Sequence, residues 1–414
     1  MRSILVSVGA LLISAAILLA GGGLLSTLVA IRAQLEGFSI FAIGLLSSAY
    51  YAGFILGCFC TPYLVNRVGH VRVFAALSAV TAVSALMHVI VINIPLWLVL
   101  RVFTGLSFAG LYMLIESWIN EQTPNEKRGQ VLSIYRMVDL GAVTAGQFML
   151  TLADPGDYVL FSIVAICICA AIFPVSISSA KAPEGVTQTS LNLRKLFRVS
   201  PLAVIGGFTV GLTNGAFWGV APVFVQQLGY PIAMVAIFMS VTIFSGGLFQ
   251  WPVGWISDRW GRRGVLVIVA AGGALSGIFL WQYSSASVSM LLIGGALYGA
   301  FGMQIFGLCA AHANDHAEPH EFVTISGGLL LTYGVGSVIG PSIAPILMAY
   351  LNPSSLFAYT AIIHLLFVVY TFYRLSRKSS PMSDSDYVSI PRPRSLNLIL
   401  RIDPRIGEKK KRQR

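Results

Sequence analysis

The sequence predicts an all-α membrane protein whose twelve transmembrane helices form two six-helix pseudo-repeats. Three observations lead there. Of 414 residues, 56% are hydrophobic and only 10% charged, less than half the roughly 25% charge of soluble domains. With a mean hydropathy of +0.79, there is too little polar surface to coat a water-soluble fold of this size. Twelve segments along the chain approach or exceed the roughly 20 apolar residues that a spanning helix needs. Finally, short sequence marks recur in order at a near-constant offset. The composition excludes a cytosolic enzyme, a nucleic-acid-binding domain and a secreted disulfide scaffold.

In chain order the spans cover residues 4–30, 39–64, 71–92, 95–118, 129–152, 158–178, 201–226, 233–256, 265–283, 288–310, 324–350 and 354–373. The first apolar run far exceeds the core of a cleavable signal and has no convincing cleavage pattern, so it is expected to be retained as helix one. Between spans six and seven, Pro183, Glu184 and Gly185 with a Thr/Ser run read as a linker. Its Leu191–Arg198 segment has the pattern of a short amphipathic surface helix. The chain therefore divides into a first half (1–178), a cytoplasmic linker (179–200), a second half (201–373) and a basic tail (374–414) expected to be disordered.

The net charge of +11 belongs mainly to that tail, where residues 374–414 hold 12 Lys/Arg against 4 Asp/Glu. Such a segment is drawn to anionic lipid; nucleic acid is not an expected partner. Placing the N-terminus inside puts 24 of the 27 Lys/Arg on the cytoplasmic side and Arg32 alone outside, with Arg101 and Arg136 within helices. The positive-inside rule then makes both termini cytoplasmic. Cys58, Cys60, Cys167, Cys169 and Cys309 all lie in or beside apolar runs and read as small packing residues.

The repeat is visible in particular residues. Asn66-Arg67-Val68-Gly69 follows helix two, and Asp258-Arg259-Trp260-Gly261-Arg262-Arg263 follows helix eight, 192 residues later. Asn120-Glu121 and Asn314-Asp315 close helices four and ten at an offset of 194, which also separates Gly105 from Gly299 and Gly146 from Gly340. An even number of helices per half makes the repeat parallel, about an axis along the membrane normal. Gly254-Trp-Ile-Ser-Asp258-Arg259-Trp-Gly261-Arg262-Arg263 resembles the signature loop of the major facilitator superfamily, and Arg101-Val-Phe-Thr-Gly105 resembles its intramembrane arginine motif. Glu116-Ser-Trp-Ile-Asn120 with Arg128-Gly129 is similar to a YcaD-like subgroup of that superfamily. The resemblance covers residues 1–375. It implies a secondary transporter working by alternating access, with helices one, four, seven and ten lining the solute site.

Gating is expected at Gly254, Asp258, Arg259 and Arg262, with Arg67 in the first-half copy, where Asn66 replaces the acid. Four charges lie inside helices, each a functional candidate because charge is costly there. Glu116, Arg136 and Asp139 are expected to form a network between helices four and five, either as a buried ion-pair staple or as the proton-exchanging group. Arg101 suits an anionic solute, a gating contact or snorkelling towards the outer surface. Asn214 and Trp218 on helix seven, and Tyr298 and Gln304 on helix ten, are the further expected solute contacts. Phe217 shares that stretch of helix seven. Gly334, Gly336, Gly340 and Pro341 on helix eleven look like an exchanger motif, although close packing explains them equally.

His312, His316 and His320 recur every fourth residue, but Pro319 disfavours a continuous helix, so a solvated cytoplasmic loop is expected rather than a metal site. No Walker-type loop occurs, and neither a cofactor nor a metal is expected. The reading is a monomeric, multi-pass plasma-membrane (inner-membrane) transporter of a small organic solute. Its partners are the solute, protons and anionic lipid, and proton-coupled export is favoured over uptake. A solute-sensing receptor that kept the fold is the rival class, for which the degenerate loop at Asn66 speaks. An embedded enzyme lacks a convergent catalytic set.

Overall fold

A computed structural model describes residues 2–124, 127–177, 193–317 and 322–377. Most of the linker, residues 318–321 with His320, and the tail beyond residue 377 lie outside the described residues, so the expectations placed on them stand as made. All regular structure among the described residues is helical. In order, the helices are α1 (Arg2–Leu35), α2 (Ile40–Val68), α3 (His70–Ile90), α4 (Ile94–Glu121), α5 (Arg128–Met149), α6 (Val159–Ala170) and α7 (Ile172–Ser176). After the linker come α8 (Leu193–Val199), α9 (Pro201–Gln227), α10 (Ile232–Trp260), α11 (Arg262–Tyr283), α12 (Val288–Gly302), α13 (Ile305–Asp315), α14 (Phe322–Tyr350) and α15 (Ser355–Arg377).

Among the described residues, eleven stretches are long and apolar enough to cross a membrane, with α6–α7 and α12–α13 each counting as one. The remaining expected span is α5, 22 residues long, about 33 Å of helix. Its apolar character is diluted by Arg136, Asp139 and Gln147, and it packs along α1 instead of presenting a uniformly apolar surface. There Thr27 Oγ1 donates to Gln147 Oε1 at 2.8 Å, and Gln147 Nε2 donates to the Gly23 carbonyl at 3.0 Å. Several helices run past the apolar segments that announce them: α1 reaches Leu35 and α2 reaches Val68. Hydropathy marks only the part matched to lipid, whereas helical hydrogen bonding continues into the polar ends.

Local signals set the starts. Asn93 accepts from the Leu96 amide ahead of α4, Ser200 from Ala203 ahead of α9, and Ser287 from Met290 ahead of α12; each satisfies an amide the helix leaves open. The links α2–α3 and α10–α11 are single glycines, Gly69 and Gly261, both at φ 85°, a conformation side chains resist. Gly37 (φ 75°) and Gly229 (φ 85°) end α1 and α9 in the same way, so both pairs repeat at the offset of 192.

Among the described residues the chain forms two compact units. The first holds 2–38 and 49–177; the second holds 39–48 and 193–377. Within the first, a Cβ on Gly105 would overlap the Tyr50 carbonyl, and one on Gly146 would overlap the Ala20 carbonyl. Within the second, Gly299 stands in the same relation to Thr242 and Gly340 to Leu212. Both carbonyl pairs are again 192 apart, so the repeat is one of packing as well as of sequence. Gly336 likewise abuts the Phe208 carbonyl, which makes the glycine run of α14 a backbone-to-backbone seam with α9.

Candidate functional site

In the second unit, the ends of α10, α11 and α13 converge on Arg262. Gly261 turns the chain sharply, which brings the Arg262 side chain back towards the last turn of α10. Its Nη1 donates to Asp258 Oδ1 at 2.9 Å and lies 3.4 Å from Ser257 Oγ. From its other edge, Nε and Nη2 reach the two carboxylate oxygens of Asp315, the latter at 3.3 Å. The Arg262 side chain is 2% exposed, Asp315 12% and Asp258 24%. One planar cation thus clamps two acids on different helices, the geometry in which arginine excels over lysine. Gly254 is buried one turn before Asp258.

Arg259 is placed differently from Arg262. It is exposed, with its guanidinium 3.7 Å over the Trp255 ring. The corresponding loop of the first unit has a different chemistry. Arg67 and Asn66 are exposed there, and the position matching Arg262 is His70, buried with its ring 5.6 Å from Trp118.

The first unit instead carries its charge within the helices. Glu116 is fully buried and Asp139 is 5% exposed. Arg136 Nη1 donates to Asp139 Oδ2 at 3.4 Å, one helical turn apart. Glu116 accepts from the hydroxyl of Tyr135, the neighbour of Arg136, at 3.5 Å. On α5, then, Arg136 pairs with Asp139, while Tyr135, which the sequence did not single out, joins α5 to Glu116 of α4. Arg101, 5% exposed, lies with its guanidinium 4.5 Å over the Tyr50 ring. That stack sits beside Gly105, whose missing side chain lets α2 approach α4 closely enough for Tyr50 to cover the cation.

The amide and aromatic candidates belong to the second unit. Tyr298 is fully buried, stacked on Phe217 at 5.4 Å and edge-on to Phe357 at 5.4 Å. Gln304 occupies a break in the tenth span, where Met303 and Gln304 leave the helix, and its amide donates to the Gly246 carbonyl at 2.7 Å and the Gly299 carbonyl at 3.2 Å. Both side chains are taken up inside the unit. Asn214 is 2% exposed with no hydrogen-bond partner at Oδ1, and Trp218 is half-buried beside Phe217.

His312 is not in a solvated loop as expected. The helix carries on through Asp315 and His312 is 3% exposed, because Pro319 falls beyond the helix end and interrupts nothing. No group of three or more His, Cys, Asp or Glu suited to a metal ion occurs among the described residues.

Several known proteins are similar to this chain in sequence or fold. The sequence profile of the Major Facilitator Superfamily matches residues 11–280 and 203–406. The uncharacterized MFS-type transporter YcaD of Escherichia coli is 26% identical over 361 residues, covering 87% of this chain and 93% of that protein. Its counterpart in Salmonella arizonae is 25% identical over the same length. Among solved structures, the nucleoside transporter NupG superposes with a TM-score of 0.76 at 14% identity over 89% of this chain and 99% of that one. A D-xylose-proton symporter gives 0.69 at 13% identity over 92% and 100%.

Proposed function

The chain belongs to the major facilitator superfamily, and from that membership we propose that it is a proton-coupled secondary transporter exporting a small organic solute by alternating access. The observation that supports proton coupling is the pair of buried carboxylates, Glu116 and Asp139, on adjoining helices of the first unit. A carboxylate deep in a membrane helix is costly unless it is paired or protonated. Arg136 supplies the pairing for Asp139, so a proton that displaces the arginine can change the state of the helix pair. The structural neighbour whose name includes proton symport makes such coupling compatible with the fold.

In this proposal Asp258, Arg262 and Asp315 form a lock that holds while one side of the membrane is closed and parts when that side opens. A lock of this kind needs only a few kcal/mol of difference between states. Arg101, Asn214 and Trp218 face the solute, while Tyr298 and Gln304 shape the core behind them. We place the protein in the plasma membrane as a monomer with both termini cytoplasmic and the basic tail against anionic lipid.

Everted membrane vesicles with an imposed proton gradient test the reading. A pH-sensitive dye is followed while drugs, sugars, amino acids and organic acids are added in turn, in wild type and in Asp139→Asn. A compound that discharges the gradient only in wild type establishes proton exchange and names the solute class. A labelled compound that equilibrates through the protein without any discharge removes proton coupling, and Asp139 is then a structural ion pair. Uptake replaces export if the same flux runs only with the opposite gradient. Ligand binding with no flux in either direction points to the receptor class.

A further inference from the structure

His312 sits next to the Arg262 lock with both ring nitrogens engaged. The Arg263 Nε–H donates to His312 Nε2 at 3.0 Å. An arginine nitrogen can only donate, so Nε2 is the bare, accepting nitrogen and the ring proton is on Nδ1. Nδ1–H therefore donates to Ser200 Oγ, 3.0 Å away. The same oxygen caps α9 by accepting the Ala203 amide. One neutral imidazole on α13 thus ties the first turn of α11 to the first turn of α9. Arg263 follows Arg262 directly, so this latch and the lock share the same turn of α11.

We propose that His312 is a positioning residue for the lock. In its neutral Nδ1–H form it holds the start of α11 where Arg262 meets both acids, and its protonation releases that turn. A proton on Nε2 removes the acceptor that Arg263 uses and sets two cations about one hydrogen bond apart. The charged and titratable groups around it are those of three helices. On α13, Asp315 and His316 lie close, the latter stacked at 4.5 Å with its Nδ1 2.8 Å from the His312 carbonyl. On α11 stand Arg262 and Arg263, and Arg374 of α15 faces Arg263; α9 contributes the uncharged Ser200. Asp315 is held by Arg262, so it offers little compensation to an imidazolium. The first unit has Trp118 at the matching position, its ring tilted against that of His70, so the latch belongs to one half. The inference rests on reading Asp258, Arg262 and Asp315 as a gate.

Hydrogen–deuterium exchange on the full chain in lipid nanodiscs tests it, in peptides covering 200–206 and 262–268, corrected for the intrinsic pH dependence of exchange. In wild type, exchange there should rise about threefold to tenfold, the loss of one or two hydrogen bonds, between about pH 7 and about pH 3, below the window of a free histidine because a buried ring beside Arg262 and Arg263 resists a further positive charge. His312→Gln keeps a donor and an acceptor on a side chain that does not titrate, and should show no step. His312→Phe should exchange fast at both pH values; if it fails to fold, the glutamine variant decides alone. A flat wild-type response, or a step that survives in His312→Gln, overturns the latch. Solute flux in Asp258→Asn reports on the gate separately. Normal flux there overturns the gate itself, whereas a surviving pH step overturns only the role of His312.

Discussion

At the scale of single residues, two arginines of one motif have different tasks. Arg262 is almost fully buried and bridges two acids, while Arg259 is exposed and rests on Trp255. Removing a buried partner strands the charges it served, at about 3–5 kcal/mol; removing an exposed cation from an aromatic face costs about 0.5–1 kcal/mol. Arg262→Ala should therefore lower the thermal unfolding temperature in detergent several times more than Arg259→Ala. Equal losses in the two melts would mean that the double clamp contributes nothing beyond surface contact. The same contrast separates the halves: where the second unit uses Arg262, the first uses His70 against Trp118.

At the scale of helices, packing depends on glycines that permit backbone contact, and the sequence does not distinguish these from spare ones. Gly146 and Gly141 are both in α5. A methyl group on Gly146 would collide with the Ala20 carbonyl of α1, whereas nothing lies within 4 Å of the corresponding position on Gly141. Gly146→Ala should destabilise by about 1–3 kcal/mol through overpacking. Gly141→Ala should stabilise by about 0.5–1 kcal/mol, because alanine loses less backbone freedom in a helix. Melting of the two variants side by side checks both signs. The break at Met303 and Gln304 also acts at this scale. The fourth span, its counterpart in the repeat, is continuous from Ile94 to Glu121, so the two halves differ where the tenth helix opens.

For the whole molecule, the buried ionic groups are divided unequally. Within the described residues, the spans of the first unit carry Arg101, Glu116, Arg136 and Asp139 in their interior, while the second keeps its acids at helix ends and fills its core with Phe217, Phe238, Tyr298 and Phe357. The charge bias along the chain predicts that both termini are cytoplasmic. A green fluorescent protein fused to the C-terminus should fluoresce, and alkaline phosphatase fused there should be inactive. An active phosphatase fusion would reverse the topology and move the Arg262 lock to the opposite face.

The sequence by itself determined the membrane class, the expected twelve spans, the two-fold repeat and the superfamily resemblance. Each of these depends on composition or on residues close together along the chain, and a bilayer enforces them through the cost of exposing polar groups to lipid. It also singled out Glu116, Arg136, Asp139, Asp258 and Arg262, since charge in or beside an apolar run is conspicuous. Only the tertiary structure decided their partners. Asp315 closes on Arg262 from 53 residues away, Tyr50 covers Arg101 from the neighbouring helix, and Tyr135 donates to Glu116 from α5. The burial of His312 and the packing of Tyr298 and Gln304 were likewise hidden. Which face of a helix meets a neighbour depends on crossing angles and on glycines that allow backbones to touch, and neither leaves a period in the sequence of a helix that is apolar all round.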